Sequence, residues 1–269
     1  MSGTNPNEAS GTAAADRVAD VLLLFGRTGG ALGVTEISRN LGLGKSVVHR
    51  ILQSLLSRGL VRFDQHSREY VLGDAALTLG VRALRDNGLR RAARGPLREL
   101  CERTAETTTL SGLVGDSRMY LEQFESPREI RMTVDIGVMH PLHAGASSRA
   151  ILAFLPNEAW EKVLDGSLCK LTAATIDEAG QLREVLQQVR ESGAAVSLGE
   201  RLHGAGSVAA PLFNMDGEPI GAISVCGPIA RFDEATVAGL IGEVRQTAAR
   251  ISHTLGWDGQ RLPSDPPQA

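Results

Sequence analysis

Apolar residues at the start of the chain recur at helical spacing. Val18, Val21, Leu22 and Phe25 share one face of a helix that Gly29-Gly30 stops. Ile37 and Leu41 fit a second, short helix closed by Gly42, and Val47, Val48, Ile51, Leu52 and Leu55 mark a third that ends near Gly59. The pattern then becomes that of strands. Leu60–Phe63 and Glu69–Leu72 predict a hairpin around the polar turn Asp64–Arg68. Asp74–Leu84 is an Ala- and Leu-rich helix ending at Arg85-Asp86-Asn87-Gly88, and Leu89–Thr104 is another, with a kink predicted at Gly95-Pro96. Strands follow at Thr108–Val114, Met119–Phe124 and Ile130–Val134, then helices at Ser148–Phe154, Glu158–Leu164 and Asp177–Ser192. Strands return at Ala195–Leu198, Ser207–Asn214 and Ile220–Val225, before a last helix over Asp233–Leu255. A sheet with flanking helices accommodates this order, so the fold class is α+β. The expected units are a helical domain with a hairpin at 13–73, a linker helix at 74–87 and a sheet domain at 88–255. Residues 1–12 and 256–269, poor in groups to bury, read as disordered tails.

Composition narrows the partners. A length of 269 residues suits about two domains. The net charge of −3 excludes a uniformly basic nucleic-acid coat, but the charge is uneven. Residues 39–68 hold Arg39, Lys45, Arg50, Arg58, Arg62 and Arg68 against Asp64 alone, a local +5. A basic island in an acidic chain marks a localised anionic partner. Cys101, Cys169 and Cys226 have neither zinc-site nor disulfide-framework spacing. No apolar run reaches the ~18 residues of a membrane span, and the first residues do not read as a secretory signal. The expectation is a soluble, cytoplasmic protein without a membrane partner.

The third helix has two opposed faces. Opposite its apolar stripe stand Ser46, His49, Arg50 and Gln53, which can hydrogen-bond to base edges or phosphates. Lys45 and Ser46 sit at the helix start, where free N–H groups also favour phosphate. With the preceding short helix this forms a helix-turn-helix, and the hairpin adds Arg62, His66 and Arg68 as wing contacts. The plain alternative is a solvated face on a packing helix. The number of cations, the helix order and the hairpin together favour DNA.

Leu41-Gly42-Leu43-Gly44-Lys45-Ser46-Val47-Val48-His49-Arg50-Ile51-Leu52, followed by Leu60-Val61 and Tyr70-Val71-Leu72-Gly73, resembles the winged helix-turn-helix of IclR-family transcription regulators. Gly44 stands where that family often has Pro, and Val47 where it often has Thr. The resemblance continues through Leu142–Ala153, Gly193–Phe213 and Gly221–Pro228 and spans roughly 14–255. It implies a GAF/PAS-like effector domain with an antiparallel sheet flanked by helices, and a homodimer or dimer of dimers. A two-fold assembly of that kind reads a palindromic double-stranded operator.

The segment Leu142–Ala153 passes through small residues into a helix, so Ala146, Ser147 and Ser148 can offer unshielded N–H groups to a carboxylate. It reads equally as a plain N-cap loop. The resemblance implies an effector site at Ala146, Ser147, Ser197, Ser207, Ser224 and Cys226. Ser197 and Ser207 stand where glyoxylate- and pyruvate-responsive relatives carry Asp and Cys, which points to a neutral, hydroxyl-rich pocket and a different or larger organic acid.

His140, His143, Glu200 and His203 have metal-ligand spacing only if their two segments meet, and such residues more often serve as loop hydrogen-bonders. No metal or other cofactor is expected. Gly145-Ala146-Ser147-Ser148-Arg149 lacks the final glycine of a nucleophile elbow, and no phosphate-binding loop or H-E-x-x-H appears. The chain therefore reads as a repressor or activator responsive to a small organic acid. The alternatives are a ligand-sensing module that docks protein rather than DNA, and an enzyme built on Ser147 or Cys226.

Overall fold

A computed structural model describes residues 12–259, which fall into two units divided between Arg85 and Asp86. In the first unit, α1 (Ala13–Thr28) is capped by the Thr12 hydroxyl and stopped by Gly29, whose φ of 66° closes the helix. Then come α2 (Val34–Leu41) and α3 (Lys45–Leu56), separated by Gly42-Leu43-Gly44. Gly42 takes a left-handed conformation, which makes so short a turn possible. Ser38 of α2 ties that turn: its carbonyl accepts the Leu43 N–H, and its hydroxyl donates to the Leu43 carbonyl at 2.6 Å.

Strands β1 (Val61–Asp64) and β2 (Glu69–Leu72) pair antiparallel as the wing, and Leu32 bridges to Tyr70 on the far side of β2. Val21, Phe25, Leu32, Ile37, Val48, Ile51, Leu52, Leu55, Val61 and Tyr70 form the core, so the predicted stripes of all three helices meet. The helix α4 (Asp74–Asp86) then runs on from the wing. It has no buried residue among its thirteen, and Leu77, Leu79 and Val81 are each more than half exposed.

The second unit opens with α5 (Gly88–Thr104), capped by Asn87, which continues through Pro96 as one helix. An antiparallel sheet of six strands follows in the order β5-β4-β3-β8-β7-β6. Its strands are β3 (Thr107–Val114), β4 (Ser117–Phe124), β5 (Met139–Pro141), β6 (Ala195–Leu198), β7 (Ala205–Phe213) and β8 (Pro219–Pro228). Between β5 and β6 lie α6 (Ala146–Leu152), α7 (Asn157–Leu164) and α8 (Ala179–Ser192), and α9 (Glu234–Thr254) closes the unit.

Strand alternation divides the two faces. Val208, Leu212, Ile223 and Val225 serve the face on which α5 and α9 pack, while Ala209, Phe213 and Ala222 join the core under α6, α7 and α8. The latter core holds Leu142, Ile151, Leu152, Phe154, Trp160, Leu182 and Leu186.

Two sequence expectations are corrected here. Ile130–Val134 is not a strand; the edge position beside β4 belongs to Met139–Pro141. Its polar backbone groups are met by side chains instead. Thr107 donates to the Met132 carbonyl, and Gln123 both donates to the Val134 carbonyl and accepts the Val134 N–H. A chain whose hydrogen bonds are supplied this way needs no ladder partner. The second correction concerns the C-terminal tail. Trp257 lies against Phe213 with ring centroids 4.7 Å apart, and its backbone N–H donates to the Ser252 carbonyl, so packed structure continues past Gly256. The rest of the expected tails, 1–11 and 260–269, lies outside the described residues.

Candidate functional site

The first unit presents the α3 face that periodicity singled out. Val48, Ile51, Leu52 and Leu55 are buried, and Ser46, His49, Arg50 and Gln53 on the other side are exposed. Lys45 is the first residue of the helix; Gly44 provides no side-chain cap, and its carbonyl accepts the Val47 and Val48 N–H groups. On the wing, Arg62 and Arg68 are exposed; Arg68 ends the turn with a φ of 58°, and the Asp64 carboxylate accepts the His66 N–H. Asp64 and Glu69 stand opposite one another at the end of the hairpin, so the wing carries acidic as well as basic groups.

Among the described residues, every ion pair lies in the second unit. Lys45, Arg50, Arg62 and Arg68 have no carboxylate partner, whereas Arg58 folds back onto Ser54 and Ser57 at the end of α3. Unpaired, solvent-facing cations beside a polar helix face are what a polyanion engages.

In the second unit, Ala146, Ser147, Ser197, Ser207, Ser224 and Cys226 all line one cavity of about 30 Å³, partly open at its mouth. Strand register explains the grouping of four of them. Ser197 pairs with Ser207, Ser207 with Cys226, and Ser224 lies two residues before Cys226 on the same face of β8. The Ser224 and Thr109 hydroxyls share a hydrogen bond of 2.7 Å. Ala146 and Ser147 open α6, after Gly145 at a φ of 88°. Burial pushes the Cys226 thiol up to about 12, so it is neutral at pH 7 and no thiolate nucleophile.

Three polar residues of the wall escaped the sequence reading: Arg118, Tyr120 and Arg201. Arg118 is 1% exposed. Its guanidinium donates to the hydroxyls of Ser148 at 2.7 Å, Ser111 at 3.1 Å and Tyr120 at 3.2 Å, and it lies 4.4 Å from the Tyr120 ring centre. Arg201 lies 5.8 Å from the same ring. The pocket is therefore not neutral, contrary to the expectation drawn from its serines. Arg118 was legible only as a basic residue in phase with Tyr120, a weak signal because alternation does not tell which face of a strand is buried.

Three of the four candidate metal ligands are otherwise engaged, and His203 is exposed. His143 Nε2 is 3.0 Å from the Cys169 carbonyl oxygen, and Glu200 pairs with the buried Arg149. His140 packs edge-on against Tyr120. Burial, then the charges of Arg118 and Arg201, hold His140 down at about 4. Among the described residues no group of three or more His, Cys, Asp or Glu side chains gathers.

A winged helix-turn-helix with free cations, carried on the same chain as a sheet domain with a polar cavity, defines the class: a DNA-binding regulator with an effector domain. Residues 14–65 match the model of the IclR helix-turn-helix domain, and residues 81–253 that of the bacterial transcriptional regulator IclR C-terminal region. The chain belongs to the IclR family of transcriptional regulators. It is 34% identical over 251 residues to the HTH-type transcriptional regulator BhcR of Paracoccus denitrificans, covering 93% of this chain and 90% of that one. It is 35% identical to the glycerol operon regulatory protein of Streptomyces griseus, over 90% of this chain and 95% of the other. The crystal structure of an IclR transcriptional regulator from Alicyclobacillus acidocaldarius superposes with a TM-score of 0.78 at 29% identity, covering 90% of this chain and 98% of that chain. An IclR homologue from Microbacterium hydrocarbonoxydans, crystallised with 4-hydroxybenzoate, shares the fold at a TM-score of 0.72 and 24% identity, over 90% of this chain and 99% of that one.

Proposed function

We propose that this protein binds a palindromic operator as a two-fold assembly and that a small organic acid in the second unit's cavity sets its operator affinity. The observation that carries the DNA contact is the exposed face of α3 with its unpaired cations. Ser46, His49, Arg50 and Gln53 read base edges in the major groove, and Lys45, Arg62 and Arg68 hold phosphates. The exposed Leu77 and Val81, one turn apart on α4, support dimerisation through that helix, since a monomer gains nothing by leaving these side chains in water. Among the described residues no helix is long and apolar enough to cross a membrane, and the site of action is the cytoplasm, where the DNA lies.

Ala146, Ser147, Ser197, Ser207, Ser224 and Cys226 surround the effector, a reading supported by the one cavity that they line. A related IclR protein was crystallised with an aromatic acid, 4-hydroxybenzoate, which supports an acid as the ligand class. The effector changes operator affinity only as far as it binds two arrangements of the assembly unequally, typically by about 1–3 kcal/mol.

The test is fluorescence anisotropy on the DNA upstream of the protein's own gene, with and without a panel of organic acids. Tight, salt-sensitive binding that one acid shifts is expected. Absence of specific binding at low salt, both to that DNA and to sequences selected from a random library, sinks the DNA reading in favour of a protein-docking module.

A further inference from the structure

Two guanidinium groups meet at the effector cavity, and nothing there neutralises them. Arg118 is buried, and three of its donors go to neutral hydroxyls, those of Ser148, Ser111 and Tyr120. An arginine carries five N–H groups, so two of its donors remain uncommitted. Arg201 has no hydrogen-bond acceptor and no ion-pair partner among the described residues, and its contact is with the ring that Arg118 also faces.

Two carboxylates of the same unit are already committed. Glu200, next to Arg201 in the chain, is bound by Arg149, and Glu106 is held by both Arg128 and Arg231. His140 beside Tyr120 is neutral at pH 7, because burial and these same two cations hold it down at about 4. The wall therefore carries two positive charges and no negative one.

Burying a cation without a partner is costly, and two like charges drawn to one ring repel each other. In this chain the second unit resolves its other buried guanidinium with a carboxylate, as Arg149 does with Glu200. The pair at Tyr120 differs from that arrangement in facing an open cavity. A monoanion leaves one of the two charges uncompensated. The rest of the wall is also built for a polar ligand end: Ser224 and Ser207 lie two and three strands away from Arg118 across the sheet, a span of roughly 10–14 Å.

The geometry points to an effector with two acid groups, a compact dicarboxylate, one end held between Arg118 and Arg201 and the other directed toward the serines of β7 and β8. This inference rests on the reading of the cavity as the effector site. Arg118 and Arg201 would then select among acids by charge number, while the serines and the opening of α6 would orient the ligand.

The test is isothermal titration of the full-length protein with succinate, glutarate and adipate, each beside its monomethyl ester, and with glycerol 3-phosphate as a compact phosphate dianion. At least one diacid should bind ten-fold or more tightly than its monoester. Arg201→Gln should cut that preference below about three-fold while leaving the far-UV spectrum unchanged, because Arg201 is partly exposed and anchors no other side chain. Arg118→Gln should do the same, and Arg118→Lys, which keeps the charge, should retain part of the preference; these two serve only if they fold, and the Arg201 variant decides alone if they do not.

A monoester binding as well as its diacid overturns the proposal. So does glycerol 3-phosphate binding more tightly than every diacid, or no binding by any of these compounds. Operator binding followed in parallel separates the two levels. If a monoacid shifts the protein on its operator while diacids show no advantage, the regulator reading stands and only the two-acid effector falls.

Discussion

Gly73 joins the wing to α4, and a methyl group there has nowhere to go. A Cβ built on Gly73 falls 2.3 Å from the Gly59 carbonyl oxygen and 3.2 Å from the Val61 carbonyl carbon. Both obstacles are backbone, so no side chain can swing aside. Relief requires the Gly59 carbonyl to retreat by about 1 Å, and that oxygen accepts the Ala75 N–H at 3.0 Å in the first turn of α4. Losing this hydrogen bond costs about 1 kcal/mol, and overpacking against backbone adds about 1–3 kcal/mol. Gly73→Ala should therefore destabilise the first unit by roughly 2–4 kcal/mol, a large share of the roughly 4–10 kcal/mol expected for a domain of this size.

The chain allows the two units to be followed separately in urea. Its two tryptophans, Trp160 and Trp257, both lie in the second unit, so tryptophan fluorescence reports that unit alone, while far-UV circular dichroism reports both. With a urea slope of about 1–2 kcal/mol per molar for so small a domain, the dichroism transition of the first unit should move down by roughly 1–4 M with the fluorescence midpoint unchanged. Gly26→Ala is the control. It sits in the last turn of α1 with open space around the added methyl and should stabilise by about 0.5–1 kcal/mol. A Gly73→Ala protein whose first transition stays within 0.5 M, a shift of about 1 kcal/mol or less, refutes the steric argument.

Arg50→Ala should weaken specific operator binding by about 1–3 kcal/mol and relax preference at the base it reads, whereas Lys45→Ala should weaken binding to all sequences and lower the slope of log affinity against log salt by about one; anisotropy over a salt series distinguishes them. Leu77→Asp places a charge in the exposed stripe of α4 and should halve the mass seen by light scattering, and an unchanged mass removes α4 as the dimer helix. For His140 the folded value of about 4 lies below its ordinary 6.5, so between these pH values the unfolded chain takes up a proton that the folded one refuses. Stability of the second unit should thus fall as pH drops from 6.5 toward 4. The full shift corresponds to about 3 kcal/mol, and partial exposure of the ring reduces the expectation to about 1–2 kcal/mol. His140→Gln should remove that part of the pH dependence in tryptophan-monitored urea titrations at pH 4.5 and 7, and identical pH dependence in both proteins contradicts the assignment.

The elements of the first unit follow from local pattern. A stripe such as Val48, Ile51, Leu52 and Leu55 leaves Ser46, His49, Arg50 and Gln53 no other side of the helix to occupy, so the candidate DNA face is a consequence of helical period. Alternation likewise places Ser224 and Cys226 on one side of a strand before any neighbour is known. Long-range pairing decided the rest. Ile130–Val134 has the composition of a strand, but Thr107 and Gln123, distant in sequence, satisfy its backbone, and the less apolar Met139–Pro141 takes the edge. Arg118 and Arg201 are separated by 82 intervening residues, and only the folding of the sheet domain, with Arg201 in the loop between β6 and β7, brings both to Tyr120. A sequence pattern records which side of its own element a residue occupies. Whether a charge there meets water, a partner or another charge depends on what the rest of the chain packs against it, and at this cavity that difference turned an expected neutral pocket into a cationic one.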